Sequence, residues 1–147
     1  MTAQPTRTPD PLRAPLVELR RGLMRLHKAL IDSERAIYEQ TAGPQSNVQL
    51  LQALMEDEFF AWLRPFSRLI TEIDGALHEG DPLTLESARG YIAQAHELVS
   101  APADGNGADG DAARYEQARQ RDPGVLFAHT EMHRALAASS LALDVIG

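Results

Sequence analysis

Two histidines near the C-terminal end of the chain have the spacing of metal ligands on a helix. His129 and His133 are four residues apart, which places both imidazoles on adjacent turns of one helix face. On the first predicted helix, His27 and Glu34 are seven residues apart and fall in the middle of an apolar face. Facing helices often supply such nitrogen and carboxylate ligands in bundle metal sites. The sequence therefore offers His27, Glu34, His129 and His133 as a candidate site for Zn²⁺, Ni²⁺ or Fe²⁺.

The same four residues also have a purely structural interpretation. A buried carboxylate or imidazole is costly without a partner, so arginine, histidine and glutamate can satisfy one another in a polar layer that fixes helix register. A rotated helix would instead place these residues in solvent at the rim of the bundle. The segment HTEMH also differs from the HExxH motif of zinc proteases, because Glu131 occupies its third position. The structural interpretation is the simpler one, and no cofactor is predicted except this alternative metal.

Other motifs of catalysis are missing from the sequence. Glu56, Asp57 and Glu58 form an acidic cluster that is typical of a solvated helix end. The glycine-rich segment 100–110 offers aspartate oxygens, but their spacing departs from that of a calcium-binding EF-hand loop. No phosphate-binding glycine loop and no nucleophile elbow around a serine occurs. No catalytic residue is predicted, and the sequence favours a protein that is not an enzyme.

The composition predicts an all-α fold. The chain has 147 residues, which is enough for one compact domain. It contains 22 alanines and 19 leucines against 5 valines and 6 isoleucines, and this excess of unbranched side chains favours helices. The absence of cysteine excludes disulfides and thiolate ligands. The formal net charge of −7 disfavours a nucleic-acid partner, since phosphate contacts need a basic surface.

The chain also lacks the apolar stretches that membrane insertion and secretion require. Its apolar runs extend for only a few residues, so no membrane partner is expected. The first residues, MTAQPTRTPDP, do not contain the apolar stretch of a signal peptide. We therefore expect a cytoplasmic protein.

The spacing of apolar side chains divides the chain into helices that end at glycine or proline. Helices are predicted at residues 12–41, 46–57, 65–78, 83–100, 111–121 and 124–146. Pro65 is tolerated in a first turn, which predicts a break near Arg64, and the alternative is one kinked helix over 58–79. The predicted architecture is an antiparallel bundle of four main helices plus one or two short ones.

Two segments of the chain are predicted to lie outside this helical pattern. Residues 1–11 contain three prolines and little apolar surface, and they are predicted to form a disordered tail. Residues 100–110 carry glycine and aspartate and no large side chain, and they are predicted to form a flexible loop. The remaining chain, 12–147, is predicted to form a single helical domain.

Two stretches carry a resemblance to a known family. LHKALIDSERAIYEQ at 26–40 and FFAWLRPFSRLITEID at 59–74 resemble an uncharacterised family of small bacterial α-helical proteins, over most of residues 19–79. The resemblance implies an α-helical fold and a bacterial source, but the family has no assigned activity and contributes no functional residue. In size and helix count the chain is also similar to DinB-like bundles, which implies a metal-dependent enzyme or sensor as the alternative function.

The apolar segment 48–63 suggests how the protein acts. Its apolar side chains point to more than one side, so some of Leu50, Phe60 and Trp62 are expected to stay exposed and to pair with another chain, although Trp62 also falls on the apolar stripe predicted to form the core. The leading hypothesis is therefore a non-enzymatic protein–protein interaction module, with a homodimer as one form. A small-ligand pocket lined by Phe66 and by two residues on other helices, Tyr91 and Met132, is a further hypothesis.

Overall fold

The computed structural model describes residues 10–78, 82–100 and 110–146, and its regular elements are all helical. They are α1 (Arg13–Ala42), α2 (Asn47–Glu56), a 3-10 helix (Glu58–Leu63), α3 (Arg64–His78), α4 (Leu85–Val99), α5 (Asp111–Arg121) and α6 (Pro123–Ile146). These described ranges contain no strand, which confirms the all-α prediction. The disordered tail predicted at 1–11 and the flexible loop predicted at 100–110 lie outside the described residues, apart from positions 10, 11, 100 and 110.

Helix α1 is the centre of the bundle. It packs along α6 and α3, and α4 and α5 complete the bundle by packing against α6. Its leucines recur every three or four residues and are fully buried at Leu16, Leu19, Leu23, Leu26 and Leu30. At Gly22 a Cβ atom would lie 2.9 Å from the sulfur of Met132, so glycine allows α1 and α6 to approach closely here.

The helix ends follow the signals in the sequence. Gly43 ends α1 in a positive-φ conformation, and its N–H donates to the Glu39 carbonyl at 2.9 Å. Ser46 and Gln49 form a reciprocal capping box at the start of α2. The Asp122 carboxylate accepts the Gly124 N–H at 2.9 Å at the start of α6. The predicted end of the first helix at glycine is confirmed, and the second and last helices begin within one residue of their predicted starts.

Residues 58–63 depart from the predicted helical pattern in an informative way. They form the 3-10 helix, which begins where the Asp57 carboxylate accepts the Phe59 N–H, and α3 follows directly at Arg64. The single kinked helix over 58–79 is therefore not formed. Because a 3-10 helix places residues three apart on one side, Phe60 and Leu63 both face the core, and Trp62 is buried beside them; Phe60 and Trp62 are 0% and 5% exposed. The expectation that some of these aromatic residues stay exposed is wrong, whereas the prediction of Trp62 on the core stripe is confirmed.

None of the helices within the described ranges combines the length and apolar character needed to cross a membrane.

Candidate functional site

Glu34 is a buried carboxylate with two arginine partners. Its side chain is 4% exposed, and it accepts from Arg114 at 2.9 Å and from Arg121 at 3.1 Å. Arg121 also donates to the Ser33 hydroxyl at 2.8 Å. Both arginines belong to α5, whereas Glu34 and Ser33 belong to α1. This Glu34 clamp (Ser33, Glu34, Arg114 and Arg121) therefore attaches α5 to α1 by charge-assisted hydrogen bonds.

The clamp matters because α5 has little apolar surface with which to pack. Only Tyr115 and Ala118 are buried on this helix. Arg114 strengthens the attachment by lying over the Phe59 ring at 4.8 Å and donating to the Phe59 carbonyl at 3.0 Å. The sequence predicted that a buried Glu34 needs a partner. In the structure two arginines are its partners, as the polar-layer interpretation describes. The clamp fixes α5 where Tyr115 faces α6.

His129 on α6 is the second buried polar group, and both of its ring nitrogens have partners. Nδ1 lies 2.6 Å from the Tyr115 hydroxyl, and Nε2 lies 3.3 Å from an Arg119 Nη1 atom. A guanidinium group can only donate, so Nε2 must be the acceptor and the ring proton must lie on Nδ1. Nδ1–H consequently donates to the Tyr115 oxygen. The hydroxyl proton of Tyr115 is then free to be donated to another group.

Burial keeps His129 neutral. Desolvation, followed by the neighbouring His133 ring and the Arg119 charge, lowers the pKa of His129 to about 4. Burial likewise raises the pKa of Tyr115, so its hydroxyl stays protonated. Arg119 donates through one guanidinium nitrogen to both Glu116 carboxylate oxygens, which lowers the pKa of Glu116. At neutral pH the cluster therefore consists of the neutral His129 imidazole, the protonated Tyr115 phenol and the Arg119–Glu116 ion pair.

These residues form one wall of a cleft of about 340 Å³. The opposite walls come from the 3-10 helix, the start of α3 and the end of α4. The lining residues are Trp62, Pro65, Phe66, Glu97, Leu98, Val99, Ser100, Asp111, Ala112, Tyr115, Glu116, Arg119, His129 and His133. We call this space the histidine cleft. Of the three residues expected to line a ligand pocket, Phe66 lines this cleft, whereas Tyr91 does not and Met132 is fully buried in the core.

The four residues of the predicted metal site do not converge on one point. His129 and His133 are neighbours, with ring centroids 4.4 Å apart, but Glu34 is held by the two arginines of the clamp. His27 lines a different cavity, and burial lowers its pKa. Among the residues that the structure describes, no group of three or more metal-ligating side chains is placed to hold an ion. A metal on His129 would have to displace Tyr115 or Arg119.

A second feature is the exposed apolar side of α2. Val48, Leu51 and Met55 are 72%, 58% and 67% exposed, and their spacing places them on one side of the helix. We call these three residues the α2 face. Only Ala53 is buried on this helix, because ten residues lying at the edge of the bundle find little surface to cover. Segment 48–63 therefore does expose apolar side chains, but they are those of the α2 face. Phe60 and Trp62 are buried, and Leu50 is half-buried.

An apolar groove runs beside the α2 face. Its volume is about 400 Å³, and its lining residues are His27, Leu51, Leu54, Met55, Leu63, Arg64, Ser67 and Arg68. Arg64 is occupied, since it donates to the carbonyls of Leu54 and Asp57 at 3.1 and 2.8 Å. Arg68 is exposed, and it makes no ion pair with any residue of the described ranges. The groove thus combines an apolar floor with one available positive charge.

Sequence reasoning missed the residues of α5 that complete both polar groups. Arg114, Tyr115, Arg119 and Arg121 recur at helical spacing, and that spacing was the signal in the sequence that could have identified them.

Comparison of the chain with family models, with curated proteins and with solved structures finds no match. This agrees with a resemblance to a family of small helical proteins to which no activity is assigned.

Proposed function

We propose that this protein is a non-enzymatic interaction module that forms a homodimer through the α2 face. The observation that supports the proposal is the cluster of three large apolar side chains, each more than half exposed, beside an apolar groove. Fully burying such a side chain contributes roughly 1.5–3 kcal/mol, so covering this face would give a substantial part of a binding free energy. Interfaces are also poor in charge at their centre, and Glu56 is the only charged residue of α2.

Charge complementarity favours a second copy of the chain as the occupant. Glu56 and Glu58 are exposed at and just after the C-terminal end of α2, and Arg68 is exposed at the groove. None of the three has an ion-pair partner within the described part of the chain. In a two-fold dimer the same surface pairs with itself. Such a dimer carries exposed charges of both signs next to the α2 face, and we propose that Glu56 of each chain pairs with Arg68 of the other.

Leu51→Gln is expected to weaken the dimer at least tenfold. The side chain lies at the centre of the α2 face, and a two-fold interface contains it twice, so each polar replacement adds to the loss. Sedimentation equilibrium over micromolar concentrations measures the dissociation constant. Leu141→Gln is the matched control, because Leu141 is similarly exposed at 67% but lies on α6.

The outcomes of this comparison separate the possibilities clearly. A wild-type chain that stays monomeric at high micromolar concentration overturns the homodimer. An equal loss in Leu141→Gln would place the interface on α6 instead. Arg68→Glu is expected to weaken the dimer, and combining it with Glu56→Arg is expected to restore part of the affinity, because the exchanged charges attract again.

A metal-binding bundle is the alternative function, and the neighbouring rings of His129 and His133 are the observation that favours it. We expect purified protein to contain no stoichiometric zinc, nickel or iron, since both nitrogens of His129 already have partners. Elemental analysis of the wild type and of His133→Ala tests this. One metal per chain that is lost in the variant would establish the metal function.

A further inference from the structure

We propose that the histidine cleft binds a small uncharged molecule that has an apolar body and a carbonyl or ether oxygen. The proposal is independent of the homodimer, because the cleft and the α2 face share no lining residue. It rests on two buried donors that lack an acceptor among the described residues, on the apolar side chains that line the cleft, and on the charges of its lining.

The first donor is the hydroxyl of Tyr115, which is 6% exposed. Its oxygen accepts the Nδ1 proton of His129, because Nε2 of that ring is the acceptor for Arg119. The phenolic proton therefore needs a separate acceptor. Among the described residues, the contact with His129 is the only hydrogen bond of the Tyr115 hydroxyl. These residues therefore provide no acceptor for the phenolic proton.

The second donor is the indole N–H of Trp62. It is buried and has no hydrogen-bond partner among the described residues. Trp62 is 5% exposed and lines the same cleft as Tyr115. A buried donor without an acceptor is destabilising, and indole nitrogen can only donate. Two such donors, both on residues that line one cleft, favour a ligand that brings an acceptor oxygen.

The walls and charges define the rest of the ligand. Phe66, Leu98 and Val99 supply apolar surface, and a volume of about 340 Å³ is at the lower end of the range for small-molecule sites. The Arg119 charge is already matched by Glu116. The two other charged lining residues, Glu97 and Asp111, are acidic, which disfavours an anion. An uncharged molecule with one acceptor oxygen fits this environment.

The single tryptophan of the chain provides a direct test. In ¹⁵N-labelled full-length protein the Trp62 indole gives one N–H resonance, which is followed by NMR while acetophenone is added. We expect a saturable downfield shift with a dissociation constant on the order of 1 mM, as for other fragment-sized ligands. Benzoate, which is similar in size but anionic, is expected to bind at least fivefold more weakly.

Two variants distinguish a ligand site from unspecific contact. Tyr115→Phe is expected to weaken acetophenone binding about fivefold, as loss of one hydrogen bond would, without affecting the binding of toluene. Ala112→Leu fills the cleft and is expected to abolish binding, whereas Ala113→Leu, on the same helix but outside the lining, is the matched control. The proposal is overturned if acetophenone gives no saturable shift, if benzoate binds equally well, or if the two leucine variants behave alike.

Discussion

Replacing Glu34 with alanine is expected to lower the free energy of unfolding by about 2–3 kcal/mol. The carboxylate is 4% exposed and holds two arginines, so its removal leaves Arg114 and Arg121 without their partner. Each arginine side chain is about a third exposed and can turn towards water, which keeps the expected loss below that of a fully buried triad. Urea unfolding followed by circular dichroism measures the change.

Glu18→Ala is the matched control for this substitution. Glu18 lies on the same helix and pairs with Arg21, but both side chains are more than half exposed, so a loss of at most about 0.5 kcal/mol is expected. A Glu34→Ala variant as stable as Glu18→Ala would contradict the clamp. Because α5 depends on the clamp, Glu34→Ala is also expected to perturb the Trp62 indole resonance, which Glu18→Ala leaves unchanged.

Acidification from pH 7 to pH 4 is expected to cost about 3 kcal/mol of stability through His129 alone. Burial lowers the pKa of His129 from 6.5 to about 4 in the folded protein. Between these two values the unfolded chain binds the proton and the folded chain does not. The contribution of His129 is therefore fully present above pH 6.5, and it is lost as the pH falls towards 4.

His129→Gln isolates this contribution, because glutamine does not titrate. The variant is expected to lose much less stability than the wild type over this pH range, with the remaining dependence coming partly from His27, whose pKa burial also lowers. His96→Gln, at an exposed position of α4, is expected to keep the wild-type dependence. Denaturant unfolding at pH 7, 5.5 and 4 gives the comparison. A parallel dependence in wild type and His129→Gln would mean that His129 is not held neutral by burial.

The helix ends were predictable because local interactions determine them. Gly43, Ser46 and Asp122 act within a few residues of their own positions, so the sequence alone contains the information. The regular spacing of the buried leucines on α1 was predictable because it is also a local feature of the sequence. These features account for the agreement between predicted and observed helix boundaries.

The partners of the buried polar groups were not predictable in the same way. The sequence showed that Glu34 and His129 lie on apolar faces and need partners. The side of α5 that packs inward is chosen by Arg114, Tyr115 and Arg121, which reach α1 and α6 across the bundle. Apolar periodicity cannot identify a helix that packs mainly through polar side chains, because its inward side carries little apolar surface.

The short segment between α2 and α3 shows a second limit. The apolar pattern of this segment allowed Phe60 to stay exposed, but the Asp57 cap begins a 3-10 helix in which Phe60 and Trp62 are buried. The exposed apolar side chains of this segment are instead Val48, Leu51 and Met55 on α2. The Trp62 N–H, on which the cleft proposal depends, is a buried donor in this same segment.

Disulfide cross-linking at Gln52 tests the α2 homodimer most directly. Gln52 is exposed between Val48 and Met55, and the chain contains no cysteine, so Gln52→Cys introduces a single thiol. Two-fold pairing of α2 brings this position close to its copy, and mild oxidation is expected to convert most of the chain into a covalent dimer at micromolar concentration. Gln94→Cys, exposed on α4, should remain monomeric. Absence of a Gln52→Cys dimer, or equal dimer formation by Gln94→Cys, would contradict a homodimer that forms through the α2 face.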